Sequence, residues 1–276
     1  MNRMSHREVH TSTREKRKAN VEMSKQLEAN WAGRHQGKDA LRDEVWSALA
    51  RQAASPNDPF GHIPDFIGSN QAADRLAGTP IWQQAQVVKA NPDAAQAPVR
   101  LRALQAGKIL YMAVPRLIDA RCFVELIAGD LRQREVDLAS ASRWQGALEH
   151  GRLVAFEEMQ PIDLVVTGCV AVTRSGGRTG KGAGFADLEL GMLRQLNLLR
   201  PSTPIVTTVH PLQIVADERL PMQRHDSALD WIVTPDEVIE TRTPYPQPTG
   251  IDWDAVQPDQ YAAIPALKML RAAQGE

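Results

Sequence analysis

The sequence has little cysteine and lacks a long apolar run. Its 276 residues contain two cysteines, Cys122 and Cys169, which stand far apart and form no C-x-x-C pair. This argues against a disulfide framework and suits a reducing compartment. No apolar stretch approaches the ~20 residues that span a bilayer. The basic N-terminus has no apolar segment of the kind found in secretory signals. We therefore expect a cytoplasmic protein without a membrane partner.

The sequence also lacks a strong charge of either sign. The net charge is −1, so no overall field would recruit nucleic acid or an anionic membrane. Hydrophobic residues make up 43% and charged residues 24%, as in ordinary globular proteins. We predict a polar arm over residues 1–36 and a single domain over residues 37–276. The arm carries a basic cluster without aromatic residues, which favours a solvated arm or a docking helix over a nucleic-acid patch.

Several standard motifs are missing. The P-loop pattern fails because Gly182 follows Lys181 where Ser or Thr is required, and the dinucleotide fingerprint G-x-G-x-x-G is absent. His210, Asp217, His225 and Asp226 match no zinc spacing, so we do not expect a zinc site.

What the sequence does contain is a glycine-rich stretch, Ser175–Gly191, which reads SGGRTGKGAGFADLELG. Two cations, Arg178 and Lys181, lie within it. Its first ten residues hold five glycines: Gly176, Gly177, Gly180, Gly182 and Gly184. Glycine lets backbone N–H groups approach a ligand closely, and a following helix N-terminus adds unpaired donors and partial positive charge. The stretch therefore predicts a phosphate or polyanion site. The alternative is a flexible surface loop that merely joins a strand to a helix.

The surrounding pattern predicts an α/β fold with a largely parallel sheet flanked by helices. Apolar runs at Asp163–Val166 and Pro204–Val209 indicate buried strands, and a helix follows the glycine-rich stretch. A helix is also expected from Gly37 to about Gln52, whereas Arg121–Gly151 is interpreted as helix and loop. Because ligands bind beyond the carboxyl ends of such strands, we expect the glycine-rich stretch and His210 to face one crevice.

Four stretches of sequence carry a family resemblance. Residues 178–187, RTGKGAGFAD, resemble the R-L-G-x-G-x-G-Y-Y-D segment of the 5-formyltetrahydrofolate cyclo-ligase family. Residues 91–100, NPDAAQAPVR, and the pattern V-H-x-x-Q…H-D…D-x-I-x-T-P after residue 208 are similar to a divergent cyclo-ligase-like branch of that family. Lys38-x-x-Leu41-Arg42 resembles its N-terminal K-x-x-L-R.

The resemblance implies a fold of the NagB/RpiA/CoA-transferase type and an ATP- and Mg²⁺-dependent ring closure. In that reaction 5-formyltetrahydrofolate becomes 5,10-methenyltetrahydrofolate. Lys181 and Arg178 would be the catalytic cations, Asp93 and Phe185 would contact the substrate, and Asp187 and Asp226 would hold Mg²⁺. The implied ATP-binding residues are Lys38, Arg42, Arg178, Thr179, Gly180, Lys181, Gly182, Ala183, Gly184 and Phe185.

Two alternatives follow from departures from the family pattern. Ala186 stands where standard members have a second tyrosine, which weakens a grip on a pterin more than a grip on triphosphate. The first alternative is therefore that the chain is a nucleotide-binding relative that acts on another small heterocycle, such as a thiamin-related one. A non-catalytic interaction protein is the other alternative, although no aromatic motif of an RNA-recognition domain occurs and we do not expect a nucleic-acid partner. Asp93 could equally be a helix cap or turn residue.

Overall fold

The computed structural model describes residues 35–114, 117 and 120–273. Within them the helices are α1 (Gln36–Arg51), α2 (Ser69–Ala77), α3 (Pro80–Gln84), α4 (Ala97–Gln105), α5 (Ala128–Gln133), α6 (Leu138–Ala141), α7 (Trp144–His150), α8 (Phe185–Gln195), α9 (Pro258–Ala263) and α10 (Pro265–Ala273). The strands are β1 (Val87–Ala90), β2 (Ile109–Ala113), β3 (Phe123–Ile127), β4 (Arg152–Val154), β5 (Leu164–Val166), β6 (Ala171–Thr173), β7 (Arg178–Thr179), β8 (Ile205–Thr208), β9 (Ile214–Val215), β10 (Trp231–Val233) and β11 (Val238–Glu240). Nearly all of the predicted N-terminal arm lies outside the described residues, and the predicted domain division stays a prediction.

Eight of these strands form one sheet in the order β11-β10-β8-β5-β1-β2-β3-β4. The five central strands, from β10 to β2, run parallel, while β11, β3 and β4 pair antiparallel at the two sides. The strands β1, β5 and β8 are buried along their whole length, which explains their apolar sequences. The predicted fold class, a largely parallel sheet flanked by helices, is confirmed.

Two apolar cores cover the two faces of the sheet. One contains α1, α2 and α4, through residues such as Leu49, Leu76 and Leu104. The other contains α8 and α10, through Leu190, Met192 and Leu267. Because both faces of the sheet are covered, the open crevice lies at the edge where the parallel strands have their carboxyl ends. The site described below lies at that edge. Within the described residues no helix combines the length and apolar character needed to cross a bilayer.

A second, three-stranded sheet in the order β7-β6-β9 corrects one expectation. The sequence suggested that the glycine-rich stretch is a loop that follows β5. Instead β6 and β7 form a hairpin after β5, and Arg178 and Thr179 belong to its buried second strand. The actual loop is therefore shorter and covers residues 180–184, which we call the glycine loop. Two short strands of two and three residues are too brief to show a periodic pattern.

The interpretation of Arg121–Gly151 as helix and loop is wrong in part. Strand β3 lies within it, buried from Phe123 to Leu126, and pairs with β2 and β4. Strand β3 contains one charged residue, Glu125, which interrupts the apolar pattern that would have predicted a buried strand. The carboxylate of Glu125 accepts hydrogen bonds from the Tyr111 hydroxyl at 2.9 Å and from Arg152 Nε at 2.9 Å, so its burial is compensated.

Candidate functional site

A cleft of about 930 Å³ opens beyond the carboxyl ends of β1 and β5. Its lining includes α1, the segment 91–93 after β1, Gly168 after β5, the glycine loop with the start of α8, the turn at residues 223–226 and the segment 250–260. Parallel α/β sheets place their ligand sites at this edge because the strand ends there leave an open crevice. The cleft is therefore the candidate functional site.

The glycine loop forms one side of the cleft. Gly182 and Gly184 adopt φ angles of 113° and 68°, in the left-handed region that side chains disfavour. Gly184 is also the N-cap of α8 and supplies no side-chain acceptor to the first turn. The N–H groups at this helix start therefore lack a capping side chain and carry the positive end of the helix dipole. The loop thus has the features of an anion site.

Helix α1 brings two predicted cations against this loop. Its N-cap is His35, whose Nδ1 accepts from the Lys38 N–H, so the helix begins one residue earlier than expected. Arg42 Nε donates to the Gly180 carbonyl at 2.6 Å, and its terminal nitrogen donates to the Thr179 hydroxyl at 2.7 Å. Lys38 Nζ lies 2.5 Å from an Asp226 carboxylate oxygen. Both cations are nearly buried, at 5% and 3% exposure.

Arg178 and Asp187 form a second ion pair beneath the loop. Arg178 Nε also donates to the Ser227 carbonyl at 2.8 Å, while Asp187 accepts from the Ser227 N–H at 2.8 Å. Burial opposes the charge on Arg178, but Asp187 and Asp226 more than offset this effect and raise its pKa. Both predicted metal ligands are therefore close to the backbone of Ser227: Asp187 accepts its N–H, and Asp226 precedes it in the chain. Each of the two carboxylates also forms an ion pair with a cation.

These two carboxylates fit a magnesium ion that arrives with a nucleotide. Among the described residues no cluster of three or more His, Cys, Asp or Glu side chains is arranged to hold a metal by itself. Mg²⁺ usually takes one or two protein carboxylates, with phosphate and water oxygens completing its shell. Asp187 and Asp226 both line the cleft and supply that number. Their role as ligands stays a prediction.

The other predicted loop residues also line the cleft, namely Lys181, Ala183, Phe185 and Ala186. His210 is not among the lining residues, and its predicted position in the crevice is wrong. Its Nδ1 accepts from the Leu212 N–H at 3.2 Å, and its ring packs edge-on against Phe66. His210 lies two residues after the end of β8 and is the N-cap of a short 3₁₀ helix, Pro211–Gln213.

Asp93 lines the cleft together with the glycine loop. It precedes a short 3₁₀ turn, but its side chain makes no capping hydrogen bond. Its carboxylate instead lies beside Gly168, where a Cβ atom would stand 3.0 Å from Asp93 Oδ2. Arg100, which is 1% exposed, fixes this segment by donating to the carbonyls of Asn91, Pro92 and Asp93. Of the two sequence interpretations of Asp93, the geometry favours the side chain that faces the cleft.

Sequence reasoning missed two groups of lining residues. The first is Glu189, which lines the cleft and pairs with the buried Lys89 beneath it. The second is the segment 250–260, where Gln260 Nε2 donates to the Ala183 carbonyl of the glycine loop at 3.2 Å. A lysine inside the apolar run VVKA was the one sequence signal for the first group, and for the second the signal was the resemblance of residues 250–253 to the divergent branch.

The fold and the site define an α/β protein with a cleft at the carboxyl edge of a largely parallel sheet. The sequence model of the 5-formyltetrahydrofolate cyclo-ligase family matches residues 34–235. The chain belongs to that family, as its sequence predicted.

Similar proteins share a name that agrees with this assignment. Methenyltetrahydrofolate synthase domain-containing proteins from Mus musculus and Homo sapiens are 34% and 33% identical over 236 and 239 residues, which cover 85% and 86% of this chain. The matched regions cover only 63% and 62% of these relatives. The solved structure of Aquifex aeolicus 5,10-methenyltetrahydrofolate synthetase matches 73% of this chain and 93% of its own at 18% identity, with a TM-score of 0.46.

Proposed function

We propose that this protein is an ATP- and Mg²⁺-dependent enzyme that converts 5-formyltetrahydrofolate to 5,10-methenyltetrahydrofolate. Membership in the cyclo-ligase family supports this activity. The observation that carries the proposal is the junction of α1 with the glycine loop. Two segments separated by 138 residues meet through Arg42 and Gly180, and they bring Lys38 and Lys181 to one cleft.

The residues at this junction suit phosphoryl transfer, which requires positioning and charge neutralisation more than covalent chemistry. The N–H groups at the start of α8 would hold phosphate oxygens, and Lys181 and Arg42 would neutralise their charge. Asp187 and Asp226 would hold Mg²⁺, which supplies further neutralisation when bound. To accept the metal, Asp226 would exchange its contact with Lys38, which leaves that ammonium for a phosphate oxygen.

The proposed reaction has two steps, phosphorylation of the formyl oxygen and ring closure. The formyl oxygen of the substrate bonds to the γ-phosphorus as the bond to ADP breaks. The N10 nitrogen next bonds to the formyl carbon, inorganic phosphate leaves and N10 loses its proton. The cleft has room for both reactants, since the glycine loop and the segment 91–93 both line a volume of about 930 Å³.

MgATP binding tests the first half of the proposal. Lys181→Ala should weaken MgATP binding about tenfold or more, which is about 1.4 kcal/mol, because a cation facing triphosphate is lost. Calorimetry would measure this, with the exposed Lys268→Ala on α10 as the matched control. Equal affinity in the wild-type protein and Lys181→Ala would show that the loop does not bind phosphate.

Turnover tests the second half. Methenyltetrahydrofolate absorbance should grow when the wild-type protein receives MgATP and 5-formyltetrahydrofolate. Ala186→Tyr should increase the rate, because the added ring restores an aromatic contact in the cleft lining. An absence of turnover in both proteins, with MgATP still bound, would reject cyclo-ligase activity.

In that event the second candidate function would apply. Ala186 in the lining favours a nucleotide-binding relative that acts on another heterocycle, such as a thiamin-related one. The phosphate chemistry would be shared, and only the second substrate would differ.

A further inference from the structure

A buried ion pair joins β1 to α8 at the cleft. Lys89 belongs to β1 in the middle of the sheet and is 0% exposed. Its Nζ pairs with the Glu189 carboxylate of α8 and donates to Asn91 Oδ1 at 2.6 Å. We call Lys89, Asn91, Asp93, Gly168 and Glu189 the cleft floor. All of its members except Lys89 line the cavity.

Stability alone does not account for this ion pair. Removing two charges from water costs several kcal/mol for each ion, and apolar residues of similar volume often stabilise a fold as well or better. A Val or Leu at position 89 would match its neighbours in the strand, where Val87, Val88 and Ala90 are all buried. The pair also sits at the carboxyl end of a central parallel strand, where ligands bind. A role in recognition explains its presence.

Two buried polar side chains beside the floor have unused hydrogen-bonding capacity, which independently indicates a binding site. Gln96 is 0% exposed, and among the residues that the structure describes neither its side-chain oxygen nor its nitrogen has a hydrogen-bond partner. The Thr167 hydroxyl is likewise buried without a partner. Between them lies Gly168, where a Cβ would stand 3.0 Å from Gln96 Oε1 and 3.0 Å from Asp93 Oδ2. Glycine at this position keeps a gap between these acceptors and the cavity.

We propose that Glu189, held in place by Lys89, determines substrate specificity by accepting hydrogen bonds from adjacent N–H donors on a flat nitrogen heterocycle of the aminopyrimidine type. The inference rests on the proposed function, because it assigns the second substrate of the same cleft. The ring edge lies on the floor and its formyl-bearing side faces the glycine loop.

The chemistry of the floor supports this class of ring. A carboxylate has two oxygens that can each accept more than one hydrogen bond, so the contact with Lys89 leaves acceptor capacity. Asp93 supplies a second carboxylate across Gly168. A site built from buried acceptors strongly rejects analogues that lack the matching N–H groups, since the acceptors would then be left unpaired. An aminopyrimidine ring offers such donors, whereas a plain aromatic ring does not.

The first test is Glu189→Gln, which keeps the size of the side chain but replaces one acceptor oxygen by a donor. We expect the KM for 5-formyltetrahydrofolate to rise about tenfold or more, while the Kd for MgATP changes less than about twofold. Glu149→Gln, on the exposed surface of α7, is the matched control. An equal loss for both ligands, or no loss for either, would overturn the proposal.

A second variant separates recognition from folding. In Lys89→Met combined with Glu189→Gln, no unpaired charge remains in the core, so the thermal midpoint should recover towards the wild-type value. Folate KM should stay raised, because one acceptor oxygen of Glu189 is still replaced by a donor. Recovery of folate KM together with the midpoint would show that Glu189 serves only as the partner of Lys89.

A binding measurement keeps the inference distinct from the proposed reaction. Pterin and a 4-amino-5-hydroxymethylpyrimidine would be titrated into the wild-type protein saturated with MgATP. We expect at least one ring to bind, and Glu189→Gln to weaken that binding about tenfold. Ring binding without turnover would reject cyclo-ligase activity and support the floor. Failure of both rings to bind, with MgATP bound, would reject the floor and leave nucleotide binding intact.

Discussion

The two sides of the cleft are built in different ways. The phosphate side, which comprises the glycine loop, Lys38, Arg42, Arg178 and Asp187, is rich in cations, and most of it is one continuous stretch of sequence. The cleft floor is rich in acceptors and is assembled from β1, the segments after β1 and β5, and one residue of α8.

This difference has a functional consequence. Binding triphosphate needs positive charge and backbone N–H groups, and a short glycine-rich text can supply both. Selecting a ring needs individual acceptors at fixed positions, and buried strand ends hold such groups rigidly. Changes on the phosphate side should therefore affect nucleotide binding, whereas changes on the floor should affect the second substrate.

The largest expected effect comes from removing the charge that the phosphate side buries. Arg178→Ala should destabilise the fold by about 3 kcal/mol, because Asp187 and the Ser227 carbonyl lose their donor. Chemical denaturation would measure this. Arg174→Ala, whose side chain is 60% exposed and pairs with Glu237, is the matched control and should leave stability unchanged. Equal stability of the two variants would show that the ion pair of Arg178 with Asp187 does not contribute to the stability of the fold.

A smaller effect is expected from filling the gap in the floor. Gly168→Ala would place a Cβ 2.9 Å from Ile63 Cγ2 and 3.0 Å from both Gln96 Oε1 and Asp93 Oδ2. Overpacking of this kind costs about 1–3 kcal/mol. The comparison predicts that folate KM rises while MgATP affinity stays near the wild-type value.

Gly129→Ala on α5 is the control for that experiment, because its Cβ would meet nothing within 4 Å. Weaker MgATP binding in Gly168→Ala would mean that the two sides of the cleft are not independent.

The contact between the segment 250–260 and the glycine loop should have a more modest effect. Gln260→Ala removes the donor to the Ala183 carbonyl and should cost about 1 kcal/mol in MgATP binding, which is roughly fivefold in Kd. Calorimetry would compare it with Gln145→Ala on the exposed side of α7. An unchanged Kd would show that the loop keeps its conformation without this support.

The smallest effect is expected from truncation. A chain that begins at His35 keeps the N-cap of α1 and all of the cleft residues described here. Its thermal midpoint should lie close to that of the full-length chain. A fall of more than about 10 °C would mean that residues 1–34 contribute to the core, because ~1 kcal/mol usually shifts a domain of this size by less.

The sequence by itself determined the class of fold and most of the phosphate side. Long periodic elements were predictable, and α1, α8, β5 and β8 lie within a few residues of their expected bounds. The ten residues 178–187 also carried the family, because close backbone approach to phosphate requires glycines at fixed spacing.

Only the tertiary structure decided the rest. Three features could not be predicted, because they depend on contacts between segments. They are the hairpin of β6 and β7, whose strands are too short for a pattern, strand β3, whose apolar pattern is interrupted by a charge, and the position of His210. The floor is the clearest case. Lys89 and Glu189 are 100 residues apart in the chain, and their contact exists because α8 packs on the sheet over β1. The residue type determines the chemistry of a side chain, but the packing of the helices and strands determines which other side chains it contacts.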